Sequence, residues 1–226
     1  MIIRLVNRTI SSLILIITIS FANIVHSQTS YIDYQSPFHP TISEGAMVAS
    51  QNHLSSEIGI EIIKKGGNAV DAAVAVGFSL AVTLPRAGNL GGGGFMLIYM
   101  KDRDEILAID YRSQSPEGLI TDQIFGVNLP DEYKKADRDI VRYGYKASTV
   151  PGTVSGLILA HSQFGKLPLE VVMRPAIDQA REGVNVSYDL EQAIASAPQL
   201  SLDAESKRIY FHEGKPLKRG EVMKRP

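Results

Sequence analysis

From Ala69 to Val82 almost every residue is small or apolar, and the one charge is Asp71. A helix with this content has no polar face to offer water, so it must be enclosed by protein on nearly all sides. It is also too short to cross a bilayer, which takes about 20 apolar residues. The rest of the chain therefore has to build a packed core around it. Asn68 is placed to cap its start, Asp71 suits its positively polarised first turn, and Leu84-Pro85 ends it.

The flanking segments predict what packs there. Leu54, Ile58, Ile62 and Ile63 recur at helical spacing, and Lys64-Lys65-Gly66-Gly67 supplies terminal positive charge and a glycine stop. After the central helix comes a four-glycine run, Gly91 to Gly94. Such a run makes a poor helix or strand interior, so it must serve close backbone approach or unusual dihedrals. Phe95 to Met100 and Glu105 to Asp110 then predict two strands joined by the polar Lys101 to Asp104, a buried hairpin. Arg112 lies just beyond it. A planar guanidinium fork suits a carboxylate or phosphate, whereas the plainer reading of glycines and arginine together is a tight turn beside a surface salt bridge.

Elsewhere Ala46 to Ser50 predicts a short buried strand, and residues 121–146 a polar surface excursion. Pro151 opens a helix with Val154, Leu157, Ile158 and His161 on one face. Helices follow over about Leu169 to Arg181, interrupted near Pro175, and Ser187 to Ala197, then a small strand and turn from Lys207 to Gly214. At the other end, Arg4 and Arg8 precede an uncharged apolar stretch from Thr9 to Val25, and small residues stand at Val25 and Ser27. This pattern is that of a secretory signal peptide cleaved after Ser27. An uncleaved anchor is the alternative, but the stretch is at the lower limit for a span and Ser, Thr, Asn and His weaken its far end. Residues 28–226 then form one domain, exported to the periplasm or secreted, with the membrane involved only through the signal peptide.

Twenty-three basic against 24 acidic residues give no reason to expect nucleic acid. The absence of cysteine excludes disulfides, thiolate metal sites and a cysteine nucleophile. The five histidines show no metal-ligand spacing, and His161 fits a packed helix face. The glycine run leads from helix into strand, the wrong polarity for phosphate binding at a helix N-terminus, and no Gly-Lys-Ser/Thr follows it. Gly152-Thr-Val-Ser155-Gly156 is offset by one residue from a nucleophile elbow, so Ser155 reads as structural. Asn185-Val186-Ser187 is a glycosylation sequon that matters only in a eukaryotic secretory pathway. No self-contained nucleophile and base emerges.

Several stretches, in order, resemble one family: Met47 to Ser50, Ile62 to Val76, Ala87 to Leu97, Ala108 to Ser113, Val150 to Gly156 and Pro175 to Gly183. Together they are similar to the N-terminal part of the large subunit of gamma-glutamyltranspeptidase, over essentially all of residues 44–222. The resemblance implies an alpha-beta-beta-alpha sandwich of the N-terminal nucleophile hydrolase type, α/β in class. It also implies an enzyme that cleaves the γ-glutamyl amide of donors such as glutathione and passes the glutamyl group to water or to an amino acid or peptide acceptor. The nucleophile is the first threonine of a small subunit, freed by self-cleavage and able to use its own amine as base. No organic cofactor or metal is implied.

Carried over residue by residue, the resemblance assigns one substrate-binding residue, Arg112, as the grip on the α-carboxylate of the glutamyl donor, and no catalytic residue. Gly91 to Gly94 are taken as structural support. No position of this sequence matches the family's nucleophile, so the chain reads as an N-terminal portion that needs a C-terminal partner and is inactive alone. Missing strands would leave apolar faces of the Ala69 to Val82 helix and of the hairpin exposed. A non-catalytic carboxylate-binding or interaction protein, or the inactive fragment of a decayed gene, is the alternative.

Overall fold

A computed structural model describes residues 41–117 and 148–225. The expected leader, residues 1–27, and the expected excursion, residues 121–146, lie outside the described residues. The chain divides into Met1–Ser43 and Glu44–Pro226, and every element below belongs to the second unit.

Helix α1, His53–Lys64, is capped by Asn52, whose Oδ1 accepts the Leu54 N–H at 3.0 Å. It ends where Gly66 takes φ 92° and the N–H groups of Gly66 and Gly67 return to the carbonyls of Ile63 and Ile62. That reciprocal pair is a Schellman stop, and it needs a residue at ease with positive φ. Helix α2, Ala69–Thr83, opens with a full capping box: Asn68 Oδ1 accepts from Val70 and Asp71, and Asp71 Oδ2 accepts the Asn68 N–H. As its composition requires, α2 is enclosed, with only Ala69 and Ala73 exposed. It packs against α1, against α3 (Thr153–Phe164) and against α4 (Leu169–Glu182).

Strands β1, Phe95–Met100, and β2, Glu105–Asp110, pair antiparallel in the register Phe95 to Asp110 through Met100 to Glu105. Alternation sends Met96, Ile98, Leu107 and Ile109 inward, where they join Ile62, Val74, Phe78, Leu157 and Val172 in the main core. Outward go Phe95, Leu97, Tyr99 and Ile106, which are 66%, 75%, 59% and 71% exposed. The hairpin is therefore covered by helices on one face and open on the other, not buried on both. The expected exposure of the α2 helix is not seen, because three helices cover it.

A second core gathers Val82, Leu190, Ile194, Leu217 and Met223. It is built by β3 (Val184–Asn185) paired with β6 (Val222–Met223), by α5 (Tyr188–Ala195), and by the hairpin of β4 (Phe211–His212) and β5 (Lys215–Pro216). Helix α6, Ala204–Tyr210, precedes that hairpin.

Three sequence expectations fail locally. Ala46 to Ser50 forms no strand, and Met47 is exposed. Val48 instead lies over Gly59, where a Cβ would come within 2.7 Å of its Cγ1, so α1 offers this segment a side-chain socket and not a strand edge. Helix α4 runs through Pro175 uninterrupted, since Val172 and Ala176 on either side are buried in the core and offset the lost N–H bond. Of the strand and turn expected over Lys207 to Gly214, Phe211–His212 and the turn at Glu213 (φ 50°) and Gly214 (φ 76°) form, but Lys207 to Tyr210 is helical because Asp203 Oδ1 caps α6 by accepting the Ser206 N–H at 2.7 Å.

Every buried side-chain nitrogen and oxygen has a hydrogen-bond partner among the described residues. The Ser55 hydroxyl meets Ser79 at 2.8 Å and Thr83 at 2.9 Å, and Ser79 donates to Gln179 at 2.7 Å, which ties α1, α2 and α4. Asp71, fully buried, accepts the backbone N–H groups of Asn68, Lys166 and Leu167. Among the described residues no helix is long and apolar enough to cross a membrane.

Candidate active site

The glycine run, the end of the hairpin and the start of α3 converge on one place. The ladder continues one step beyond β1 and β2: Gly94 N–H donates to Tyr111 O at 3.2 Å and Tyr111 N–H to Gly94 O at 3.0 Å. Gly92 O accepts the N–H groups of Gly152 at 2.8 Å and Thr153 at 3.1 Å, which docks the α3 N-terminus onto the glycine run. Further along, Gln114 and Val150 exchange both backbone bonds.

The glycines are required by contact. A Cβ on Gly93 would overlap the Ser113 nitrogen, one on Gly152 the Tyr111 carbonyl, and one on Gly156 the Tyr111 ring. One on Gly94 would stand 2.9 Å from Tyr111 Cε2. Tyr111 is thus seated in a socket lined by Gly93, Gly94, Gly152 and Gly156, which gives the end of the glycine run a structural role, whereas a Cβ on Gly91 would meet nothing closer than 3.5 Å. Partial burial pushes the Tyr111 phenol above its ordinary pKa.

Arg112 follows this anchored tyrosine and is exposed. Its backbone N–H donates to Asp110 Oδ1 at 2.9 Å. Among the described residues its guanidinium makes no ion pair or hydrogen bond, so the salt-bridge reading finds no partner there. It borders a shallow cleft of about 280 Å³ lined also by Asp110, Gln114, Gly152, Ser155 and Leu159. A free guanidinium fork on such a rim suits a small carboxylate-bearing molecule.

The other candidates are engaged elsewhere. Ser155 donates to Gly152 O at 2.9 Å within the first turn of α3, a local structural bond. His161 Nε2 lies 2.9 Å from Leu167 O and 3.5 Å from Asp71 Oδ1, on a packed helix face. A carbonyl only accepts, so Nε2 carries the proton. A larger cleft, about 500 Å³, lies among Asn52, His53, Arg86, Asn185 and Asp189. Its arginine is already satisfied, because Arg86 Nε and Nη2 both bond Asp189 Oδ2, at 2.9 and 2.7 Å. Size therefore does not favour it over the cleft at Arg112. Among the described residues no three His, Asp or Glu side chains are grouped to hold a metal ion.

The sequence singled out Arg112 and the glycine run, and the structure adds Asp110, Tyr111, Gly152 and Gly156 as their neighbours. The signals for the last two were the near miss to a nucleophile elbow and the place of Val150 to Gly156 in the family resemblance.

Comparison with known proteins agrees with the resemblance in the sequence. The family model described as gamma-glutamyltranspeptidase matches residues 55–226. A glutathione hydrolase proenzyme of Escherichia coli is 41% identical over 196 residues, which are 86% of this chain and 33% of that protein. The chain spans about a third of the length of the curated relatives it matches. Among solved structures, Helicobacter pylori gamma-glutamyltranspeptidase superposes with a TM-score of 0.73 at 30% identity, covering 83% of this chain and 52% of that one. The Pseudomonas nitroreducens enzyme complexed with L-DON gives 0.69 at 39% identity, covering 82% and 52%.

Proposed function

Since the chain belongs to the gamma-glutamyltranspeptidase family and has the mixed α/β fold of its N-terminal nucleophile hydrolases, we propose that it supplies the donor-binding part of an enzyme of γ-glutamyl transfer and hydrolysis. In this reading Arg112 takes the α-carboxylate of a donor such as glutathione in two parallel charged hydrogen bonds. That fixes both the position and the direction of the substrate, so the γ-carbonyl is delivered a side chain's length away.

A threonine at the start of a small-subunit portion attacks that carbonyl carbon through its hydroxyl oxygen, and the threonine's own amine takes the proton. The amide C–N bond breaks, the leaving amine carries the proton away, and the glutamyl group remains as an ester. Water or the amine of an amino acid or peptide then attacks the ester and restores the hydroxyl. No step calls for a metal or organic cofactor.

The observation that carries this reading is the guanidinium on the cleft rim, without a partner among the described residues and held by an anchored backbone. The test is an assay with a chromogenic γ-glutamyl anilide on this polypeptide alone and after coexpression with a matching C-terminal portion. The polypeptide alone is expected to show no turnover above buffer, because no residue in it matches the nucleophile, and the assembled pair to be active. Turnover that copurifies with the isolated polypeptide would place a nucleophile within it and refute the division of labour.

Export is part of the proposal, resting on the charged start, short apolar core and small residues at Val25 and Ser27. N-terminal sequencing of exported material is expected to begin at or near Gln28. A chain that retains Met1 in the membrane fraction would contradict it.

A further inference from the structure

We propose that Asp110 is a positioning residue for Arg112, and that it acts through its hydrogen-bond acceptor and not through its charge. The inference rests on the donor-grip reading of Arg112.

Tyr111 exchanges both of its ladder bonds with Gly94. In an antiparallel pair the next residue's N–H points away from that partner, toward the open side of the strand. The Arg112 N–H finds its acceptor there in Asp110 Oδ1, at 2.9 Å. A side chain accepting from the N–H two residues on turns the chain locally, as Asp and Asn commonly do. Both side chains are exposed, and the backbone is held on either side of Arg112, at Tyr111 by Gly94 and at Gln114 by Val150, so the Asp110 bond is what engages the Arg112 N–H between those two holds. Without the Asp110 bond, the Arg112 N–H would have no acceptor among the described residues, and the peptide between Tyr111 and Arg112 could turn between its two flanking holds.

The carboxylate does this without occupying the fork. No ion pair joins Asp110 and Arg112 among the described residues, so the guanidinium stays available to a ligand. The α-carbon of a γ-glutamyl donor carries a carboxylate and an ammonium together, so the Asp110 charge meets both signs. If Asp110 acts by positioning, an acceptor without charge should serve about as well, and that separates positioning from electrostatics.

The experiment uses the assembled enzyme, with Asp110→Ala, Asp110→Asn and Arg112→Gln compared on two donors. One is a γ-glutamyl anilide, and the other is the 4-aminobutyryl anilide, the same molecule without its α-carboxylate. Asp110→Ala is expected to raise KM for the glutamyl donor roughly tenfold with kcat within about threefold, because the grip is displaced and the reacting groups are untouched. Asp110→Asn, which keeps Oδ1, is expected to restore KM to within about threefold of the parent. The 4-aminobutyryl donor should respond to neither.

If Asp110→Ala matches the parent while Arg112→Gln loses the glutamyl donor selectively, the positioning role is wrong and the grip survives. If Asp110→Asn is as impaired as Asp110→Ala, or if both donors suffer alike, the acceptor role is overturned. If Arg112→Gln affects both donors equally, the grip itself fails and the Asp110 proposal fails with it.

Discussion

Arg112→Gln in the assembled enzyme is expected to lower kcat/KM for a γ-glutamyl donor on the order of a hundredfold or more, and Arg112→Lys by at least roughly tenfold. Charged hydrogen bonds are worth about 1.5 to 3 kcal/mol each, and the lower end applies here because Arg112 is exposed and solvent screens it. Lysine keeps a charge but loses the two-pronged geometry, and glutamine loses both. A donor without the α-carboxylate should lose this sensitivity, since the second deletion removes an interaction already absent. A structural arginine would behave differently, with equal losses on both donors together with a lower melting temperature. Steady-state kinetics on the two donors, with thermal melts of each variant, separates the cases.

Asp71→Ala is expected to produce the largest loss of stability. Asp71 is fully buried and accepts backbone N–H groups from Asn68 at 2.9 Å, Lys166 at 3.0 Å and Leu167 at 3.4 Å. It thereby closes the cap of α2 and ties that helix to the turn between α3 and α4. Alanine leaves these donors without their partner, at about 1 to 3 kcal/mol for each one that water cannot reach. Against a total stability of about 5 to 15 kcal/mol that is a large share. At about 2 to 4 °C per kcal/mol, the melting temperature should fall by roughly 10 °C or more, or soluble protein should be lost. Asp71→Asn keeps one acceptor oxygen but turns an amide toward N–H groups, so it should fall between. Circular dichroism melts decide this, and an Asp71→Ala melt within a degree or two of the parent would contradict the clasp.

What the sequence disclosed depended on the range of the interactions. The limits of α1 and α2 were legible because Asn68, Asp71 and the Lys64 to Gly67 stop act within one helical turn. The hairpin was legible because its two short apolar runs and the polar turn between them are also local. Ala46 to Ser50 misled because an apolar pentapeptide carries no information about whether a strand edge or a side-chain socket awaits it. Lys207 to Tyr210 misled because the Asp203 cap outweighs the strand character of Ile209 and Tyr210. The hairpin's open outer face depends on what packs there, which its own residues do not encode.

The site divides in the same way. Arg112 and the glycine run stood out by composition and by resemblance; the stretches that hold Tyr111, Gly152 and Gly156 shared the resemblance, but their contacts with one another were not legible. Gly156 and Tyr111 are 45 positions apart, and only the docking of α3 against the glycine run brings the tyrosine ring over that glycine. Asp110 looked like the last residue of a strand. Its bond to the Arg112 N–H emerges only once the Gly94–Tyr111 pair sets which side of the strand that N–H faces.

The central claim, that Arg112 holds the donor's α-carboxylate, is tested most directly by a crystal structure of the assembled enzyme with a γ-glutamyl donor or a slow analogue bound. The account predicts both carboxylate oxygens at roughly 2.7 to 2.9 Å from guanidinium nitrogens of Arg112, with the γ-carbonyl directed to the nucleophile. A donor carboxylate seated on another group, with Arg112 in solvent or paired to a protein carboxylate, would contradict it.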